Sequence, residues 1–352
     1  MALPALLAGD RGKPGLLQHL LLLLVCTVAM LVSSELFTNA AEWTGERFGL
    51  AEAAVGSLLA GVGAALPETL ISAFGMIGGY RGPALYREVG IGAIVGAPLL
   101  LSTLSLFIVG LAALARRSRG SEAALRVARG GLRWDLGLFL ALFGVVLGLG
   151  LSSAGRLVRA GAAVGLLLAY AAYARGMLQM ARDPQAGVAQ GLRLGRLLGH
   201  REARPKTHLT LVQLVFSLGL MLLAARQFVA VLARLAAASS LRADVLSLIL
   251  SPFAAELPEN FNAIIWVRRR RDYLAISNLT GGMVFQTCVP VALGLIWSPW
   301  RLGAPELWAG AVIVASAAWL WWRLGDDRLG LLELLFGGGA YVVFLLGLRM
   351  VV

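Results

Sequence analysis

Apolar runs of about 20 residues recur from one end of this chain to the other, each long enough to cross a bilayer as an α-helix. Composition points the same way. Charged residues make up 14% of the 352 positions and mean hydropathy is +0.79, whereas a soluble domain holds about 25% charged residues. Ten helices fit the runs: near Leu16–Ala40, Ala51–Gly75, Tyr86–Ala112, Trp134–Leu151, Leu157–Met180, Leu209–Leu232, Ala243–Val267, Tyr273–Ser298, Leu307–Trp322 and Leu329–Met350. The first run follows Arg11 and Lys13 as a signal peptide would, but no small-residue cleavage site closes it, so it is read as a helix. The longest polar connection, Ala181–Thr207, leaves five helices on either side. An odd number per half sends the second half into the membrane from the opposite face. The expected fold is an all-α integral membrane protein of two inverted five-helix repeats, residues 1–180 and 208–352, with a basic loop at 181–207 between them.

The net charge of +12 is concentrated in three places. Arg116, Arg117, Arg119, Arg126, Arg129 and Arg133 form one group, Arg182, Arg193, Arg196, Arg201, Arg204 and Lys206 a second, and Arg268–Arg271 a third. All three fall on one side of the ten-helix arrangement, and loops rich in Lys and Arg stay cytoplasmic. The expectation is a multi-pass protein of the plasma (inner) membrane with both termini outside and the central loop inside. These loops lack the interleaved aromatics of a nucleic-acid surface, so no nucleic-acid partner is expected. Trp297, Trp300, Trp321 and Trp322 read as an aromatic belt at the water boundary. The aromatics are too scattered to mark an oligomer interface. Cys26 and Cys288 make no disulfide framework, and no catalytic motif or cofactor-binding signature is present, so the chain is not read as an enzyme.

Two of the apolar runs carry the same short phrase. Leu66-Pro67-Glu68 and Leu257-Pro258-Glu259 both sit inside membrane-length segments. The proline removes a backbone hydrogen bond and is expected to break the helix. The glutamate costs about 2.5–3.5 kcal/mol or more in mid-membrane and is tolerated where it faces a polar site. Aligned on these phrases, Glu68 matches Glu259 and Ala65 matches Glu256. Downstream, Gly92–Ala97 lies against Ser277–Gly282, and the same register sets Leu101 against Gln286. One repeat supplies a single carboxylate in an apolar lining; the other supplies two carboxylates and two amides, Asn278 and Gln286.

These residues resemble those of a known family. Ser34–Glu42 and Gly49–Gly56, leading into Ala65–Leu70, are similar to the first α-repeat of the sodium/calcium exchanger (cation/calcium antiporter) superfamily. Leu257-Pro258-Glu259, with Ser277-Asn278 and Gly281, resembles the second. The resemblance covers the first three and the sixth to eighth helices. It implies ten helices in two inverted halves, an extracellular N-terminus, and a central cation site where broken helices two and seven meet helices three and eight. The family phrase Gly-Thr-Ser-x-Pro-Glu is here Gly63-Ala64-Ala65-Leu66-Pro67-Glu68 and Ala254-Ala255-Glu256-Leu257-Pro258-Glu259. Both glutamates are kept, and Ala64 and Ala255 still offer carbonyls, but hydroxyls and amides that would suit Na⁺ are lost.

Ca²⁺ is bound by about six to eight oxygens, chiefly carboxylate, carbonyl and water. Glu68 and Glu259 are the expected metal ligands, with Glu256 a third ligand, a proton carrier or a solvated bystander, and Asn278 and Gln286 supporting oxygens or interhelical hydrogen bonds. Three neighbouring carboxylates repel in a low dielectric, so a proton or a metal ion must relieve them. The function expected is a secondary antiporter exporting Ca²⁺ against H⁺ or Na⁺. Alternatives are a proton-coupled exchanger for Mn²⁺ or Mg²⁺, or a membrane scaffold or sensor that retains the fold without transport.

Overall fold

The computed structural model describes residues 15–47, 60–117, 125–127, 129–180, 192–193, 206–239, 241–324 and 328–351. They form α1 (Leu16–Arg47), α2 (Ala60–Arg81), α3 (Ala84–Leu100), α4 (Leu106–Arg117), α5 (Arg129–Leu151), α6 (Arg156–Met180), α7 (Thr207–Ser239), α8 (Ala243–Arg268), α9 (Asp272–Trp297), α10 (Ala304–Arg323) and α11 (Leu331–Val351). A π-helical turn at Leu101–Ser105 joins α3 to α4, so the two make one long span. Among the described residues, eight spans are long and apolar enough to cross a membrane, and the chain is a multi-pass membrane protein. The two glutamate helices, α2 and α8, are not among the eight. The only strands described are β1 (Leu125–Arg126) and β2 (Arg328–Leu329), an antiparallel pair tying the segment after α4 to the one before α11. Most of the expected loop 181–207, and residues 51–59 of the expected second helix, lie outside the described residues.

Two expectations need correction. Neither Pro67 nor Pro258 breaks its helix: α2 and α8 run helical through both positions. A proline inside a helix removes one N–H, and neighbouring helices can hold the axis together around the defect. The carbonyls that lose an N–H partner are four residues back, those of Gly63 and Ala254, one position earlier than expected. The aromatic belt is also incomplete. Trp300 is fully buried, stacked against Gly294 and donating its indole N–H to the Val146 carbonyl at 3.1 Å, whereas Trp322 is 68% exposed. A buried indole N–H usually finds a hydrogen-bond partner, and the Val146 carbonyl is that partner here.

Helix packing follows an exchange of the two halves. The pairing of α3 with α8 has its image in α2 with α9, that of α6 with α9 in α4 with α11, and that of α5 with α9 in α3 with α10; α1 with α7 is its own image. The α3–α8 crossing is the tightest. A Cβ on Gly92 would collide with the Asp244 carbonyl oxygen, and one on Gly96 would stand 2.6 Å from that of Leu248. Ser247 of α8 donates its hydroxyl to the Val89 carbonyl at 2.5 Å and lies 2.8 Å from the Ser251 hydroxyl. Small residues let membrane helices approach this closely, so backbone dispersion and hydroxyl bonds replace the missing hydrophobic drive. The π turn has a local cause. Pro98 cannot donate an N–H, and Thr103 returns its hydroxyl to the Leu99 carbonyl, while Ser316 of α10 caps the Ser102 carbonyl at 2.6 Å.

Gly92→Ala and Gly96→Ala are therefore expected to destabilise the protein by about 1–3 kcal/mol through overpacking. Gly144→Ala, where nothing lies within 4 Å, is expected to be neutral or stabilising by up to about 1 kcal/mol. Thermal unfolding of the purified protein in detergent checks both.

Candidate functional site

Glu68 on α2 and Glu256 and Glu259 on α8 are closed off from solvent, at 1%, 2% and 4% exposure. The helix period explains why Glu256 and Glu259 share a face: residues three apart lie one above the other. Their carboxyl groups are within hydrogen-bonding reach of each other, and Glu68 lies within electrostatic reach of both. From α9, Gln286 is 1% exposed and donates its amide N–H to Glu256 Oε1. One turn before it, a Cβ on Gly282 would stand 3.5 Å from Glu259 Oε2 and 3.2 Å from Leu101 Cδ1. Gly282 thus lies beside the Glu259 carboxylate on the flank of α9 that faces α8.

The cluster is rich in polar atoms that have no partner. Both oxygens of Glu68, Oε2 of Glu256, Oε2 of Glu259, Oε1 of Gln286 and Oδ1 of Asn260 are buried and unpaired. Buried polar groups almost always find a hydrogen bond, so a concentration of orphans marks a place built for a ligand, a proton or water. Carboxylates and amide oxygens are a hard donor set, suited to a hard cation carried as substrate. Among the described residues, no group of three or more His, Cys, Asp or Glu is gathered closely enough to hold a metal ion unaided. Amide, carbonyl and water oxygens would have to complete any coordination shell.

Of the residues expected at the site, Glu68, Glu256, Glu259 and Gln286 come together. Asn278 does not join them. It is half-buried with an unpaired Nδ2, and it lies four residues, about one helical turn, before the Gly282 that stands beside Glu259. Two residues were not foreseen. Asn260, 6% exposed, bonds the Glu256 carbonyl at 3.0 Å, just as Thr69 bonds the Ala65 carbonyl at 2.9 Å. The repeat register would have shown that equivalence, since each follows its glutamate. Ser72 is fully buried one turn beyond Glu68, its hydroxyl unpaired.

The sodium/calcium exchanger protein family matches residues 18–178 and 209–350. The chain belongs to that family. Among solved structures, it is similar to the H⁺/Ca²⁺ exchanger CAX, with a TM-score of 0.72, 20% identity, and 94% of this chain and 82% of that one covered. It is also similar to the sodium-calcium exchanger NCX_Mj, with a TM-score of 0.58, 20% identity, and coverage of 93% and 97%. No curated protein sequence matches it. The chain is thus a transporter of a cation/calcium exchanger family and not an enzyme.

The orphaned oxygens make a stability prediction. Glu68→Met keeps the side-chain length and removes both unpaired oxygens, and should raise stability in the presence of chelator by about 1–3 kcal/mol. Thermal unfolding in detergent with chelator measures it; a lower melting temperature would show that Glu68 is already well paired.

Proposed function

We propose that this exchanger-family protein exports Ca²⁺ in exchange for H⁺ or Na⁺, by alternating access of two inverted five-helix halves around a mid-membrane site. Glu68 and Glu259 hold the ion. Glu256 is a third ligand or carries the coupling proton, and Gln286 orients it. Asn278 stands apart from the carboxylates and supplies no ligand. The observation that carries this reading is the gathering of three buried glutamates, from α2 and α8, whose oxygens are largely unpaired. Nothing in packing explains such a cluster, since each carboxylate costs several kcal/mol to bury. Ca²⁺ or protons in turn can discharge it.

H⁺ is the better supported coupling ion. The first-half lining near Glu259 is the methyl of Leu101, and the positions aligned with Glu256 and Gln286 are Ala65 and Leu101. Few neutral oxygens are then left for Na⁺. The domains of the proposal are residues 1–180 and 208–352, with the basic segment 181–207 between them on the cytoplasmic side of the plasma (inner) membrane and both termini outside.

Reconstituted vesicles test the reading directly. Radioactive Ca²⁺ uptake should follow an imposed proton gradient, and Glu68→Gln and Glu259→Gln should each abolish it while leaving insertion intact. Near-normal Ca²⁺ movement in the double variant would remove both glutamates from the ion path. Orientation has its own test: in intact cells, tags within Ala181–Thr207 should be shielded from external protease and tags at either terminus cleaved.

A further inference from the structure

Asp135 is a fourth carboxylate inside the helix bundle, and the site above does not use it. It lies six residues into α5 and is 3% exposed. Its Oδ1 accepts the Tyr173 hydroxyl of α6 at 3.0 Å, and its Oδ2 accepts the Thr280 hydroxyl of α9 at 2.8 Å. Tyr170 of α6 and Tyr273 of α9 stand beside Tyr173. The nearby charges are committed elsewhere. Arg133 of α5 lies 4.6 Å over the Trp321 ring of α10, Asp272 of α9 is paired with Arg116, and Arg323 of α10 is paired with Glu333. Hydroxyls can donate to a carboxylate or accept from a carboxylic acid. This setting therefore accommodates Asp135 in either protonation state, which a guanidinium partner would not.

Two contacts give the cluster a direction. Toward solvent, Tyr273 is 44% exposed beside the Arg268–Arg271 turn, and its hydroxyl stands 3.9 Å from where a Cβ on Gly131, at the start of α5, would be. Toward the interior, a Cβ on Gly281 would stand 3.4 Å from the Tyr173 hydroxyl, and one on Gly282 would stand 3.5 Å from Glu259 Oε2. Consecutive residues of α9 thus face the Asp135 cluster on one flank and the central carboxylates on the other. Neither has a side chain.

We propose that Asp135 is a proton relay site between the central carboxylates and the Arg268–Arg271 turn, where protons carried inward are held before release to the cytoplasmic side. This rests on the reading of the protein as a proton-coupled exchanger. A proton released by the central cluster breaks an O–H bond there and forms one on Asp135; its release to solvent breaks that bond and leaves Asp135 a carboxylate again. Acidic residues inside membrane spans are among the groups that mark proton relays.

Asp135→Asn in reconstituted vesicles separates a relay from a structural anchor. Ca²⁺ uptake driven by a proton gradient should fall about tenfold or more, while exchange of radioactive for unlabelled Ca²⁺ at equal pH, which needs no net proton movement, should stay within about twofold. Loss of both modes, or of neither, overturns the proposal. Tyr173→Phe keeps the ring and removes one donor. It should preserve both modes and move the pH of half-maximal proton-driven uptake; an unmoved midpoint counts against the relay. Infrared titration of the purified protein gives a readout independent of transport. Asp135→Asn should remove one titrating carboxylic-acid band, and an unchanged spectrum overturns the site. Wild-type vesicles that move no Ca²⁺ under any gradient, with that band present and lost in Asp135→Asn, would sink the exchanger reading and leave the proton-binding site standing.

Discussion

Repulsion among Glu68, Glu256 and Glu259, buried together on α2 and α8, is the constraint that the surrounding helices answer. Two unit charges about 4 Å apart repel by about 4 kcal/mol even at an effective dielectric near 20. Three such charges would consume most of the roughly 5–15 kcal/mol that holds a typical protein folded. The protein meets part of this with hydrogen bonds: Gln286 donates to Glu256, and Asn260 ties down the backbone of the same turn. The remainder is left for a mobile species to satisfy. A fully compensated cluster would be a structural element; one left short of positive charge is a place from which a cation or a proton can be taken up and released.

The helix pairings around that cluster follow the exchange of the two halves, but its chemistry does not. Thr69 and Asn260 make the same bond to the residue four positions back, and α2 meets α9 as α8 meets α3. At the level of the lining the likeness ends. Ala65 stands where the other half has Glu256, and Leu101 where it has Gln286. Backbone geometry is shared because both halves must solve the same packing problem. Side chains are free to differ because a single ion needs its oxygens from somewhere, not from both sides equally.

Much of this was legible in the residues. The paired Leu-Pro-Glu phrases located two of the three glutamates, and the register between halves brought Gln286 to the third, where it bonds Glu256. The same register set Asn278 at the site, but helix position along the axis is uncertain by a turn until the partner helix is seen. The prolines misled because sequence shows the lost N–H and not the neighbours that support the helix around it. Trp300 was read as interfacial because its acceptor, the Val146 carbonyl, is 154 positions away. Asp135 stood at the edge of an expected span, one residue from Trp134, and only its contacts with Tyr173 and Thr280 show that it is buried.

The π turn at Leu101–Ser105 contains, in effect, one residue more than an α-helix would need. Each residue of an α-helix turns the chain by roughly 100°, so that extra residue sets the rotational phase of everything in α4. Arg116 reaches both the Asp272 carboxylate at 2.6 Å and the Val267 carbonyl at 3.1 Å from that phase. Deleting a single residue between 101 and 105 would restore regular helix and leave Arg116 near its present phase, whereas straightening the turn at full length would swing Arg116 about a quarter-turn off its partners. For this span, a one-codon deletion is the conservative change, and a substitution that straightens the turn while keeping its length amounts to a rotation of the whole helix end.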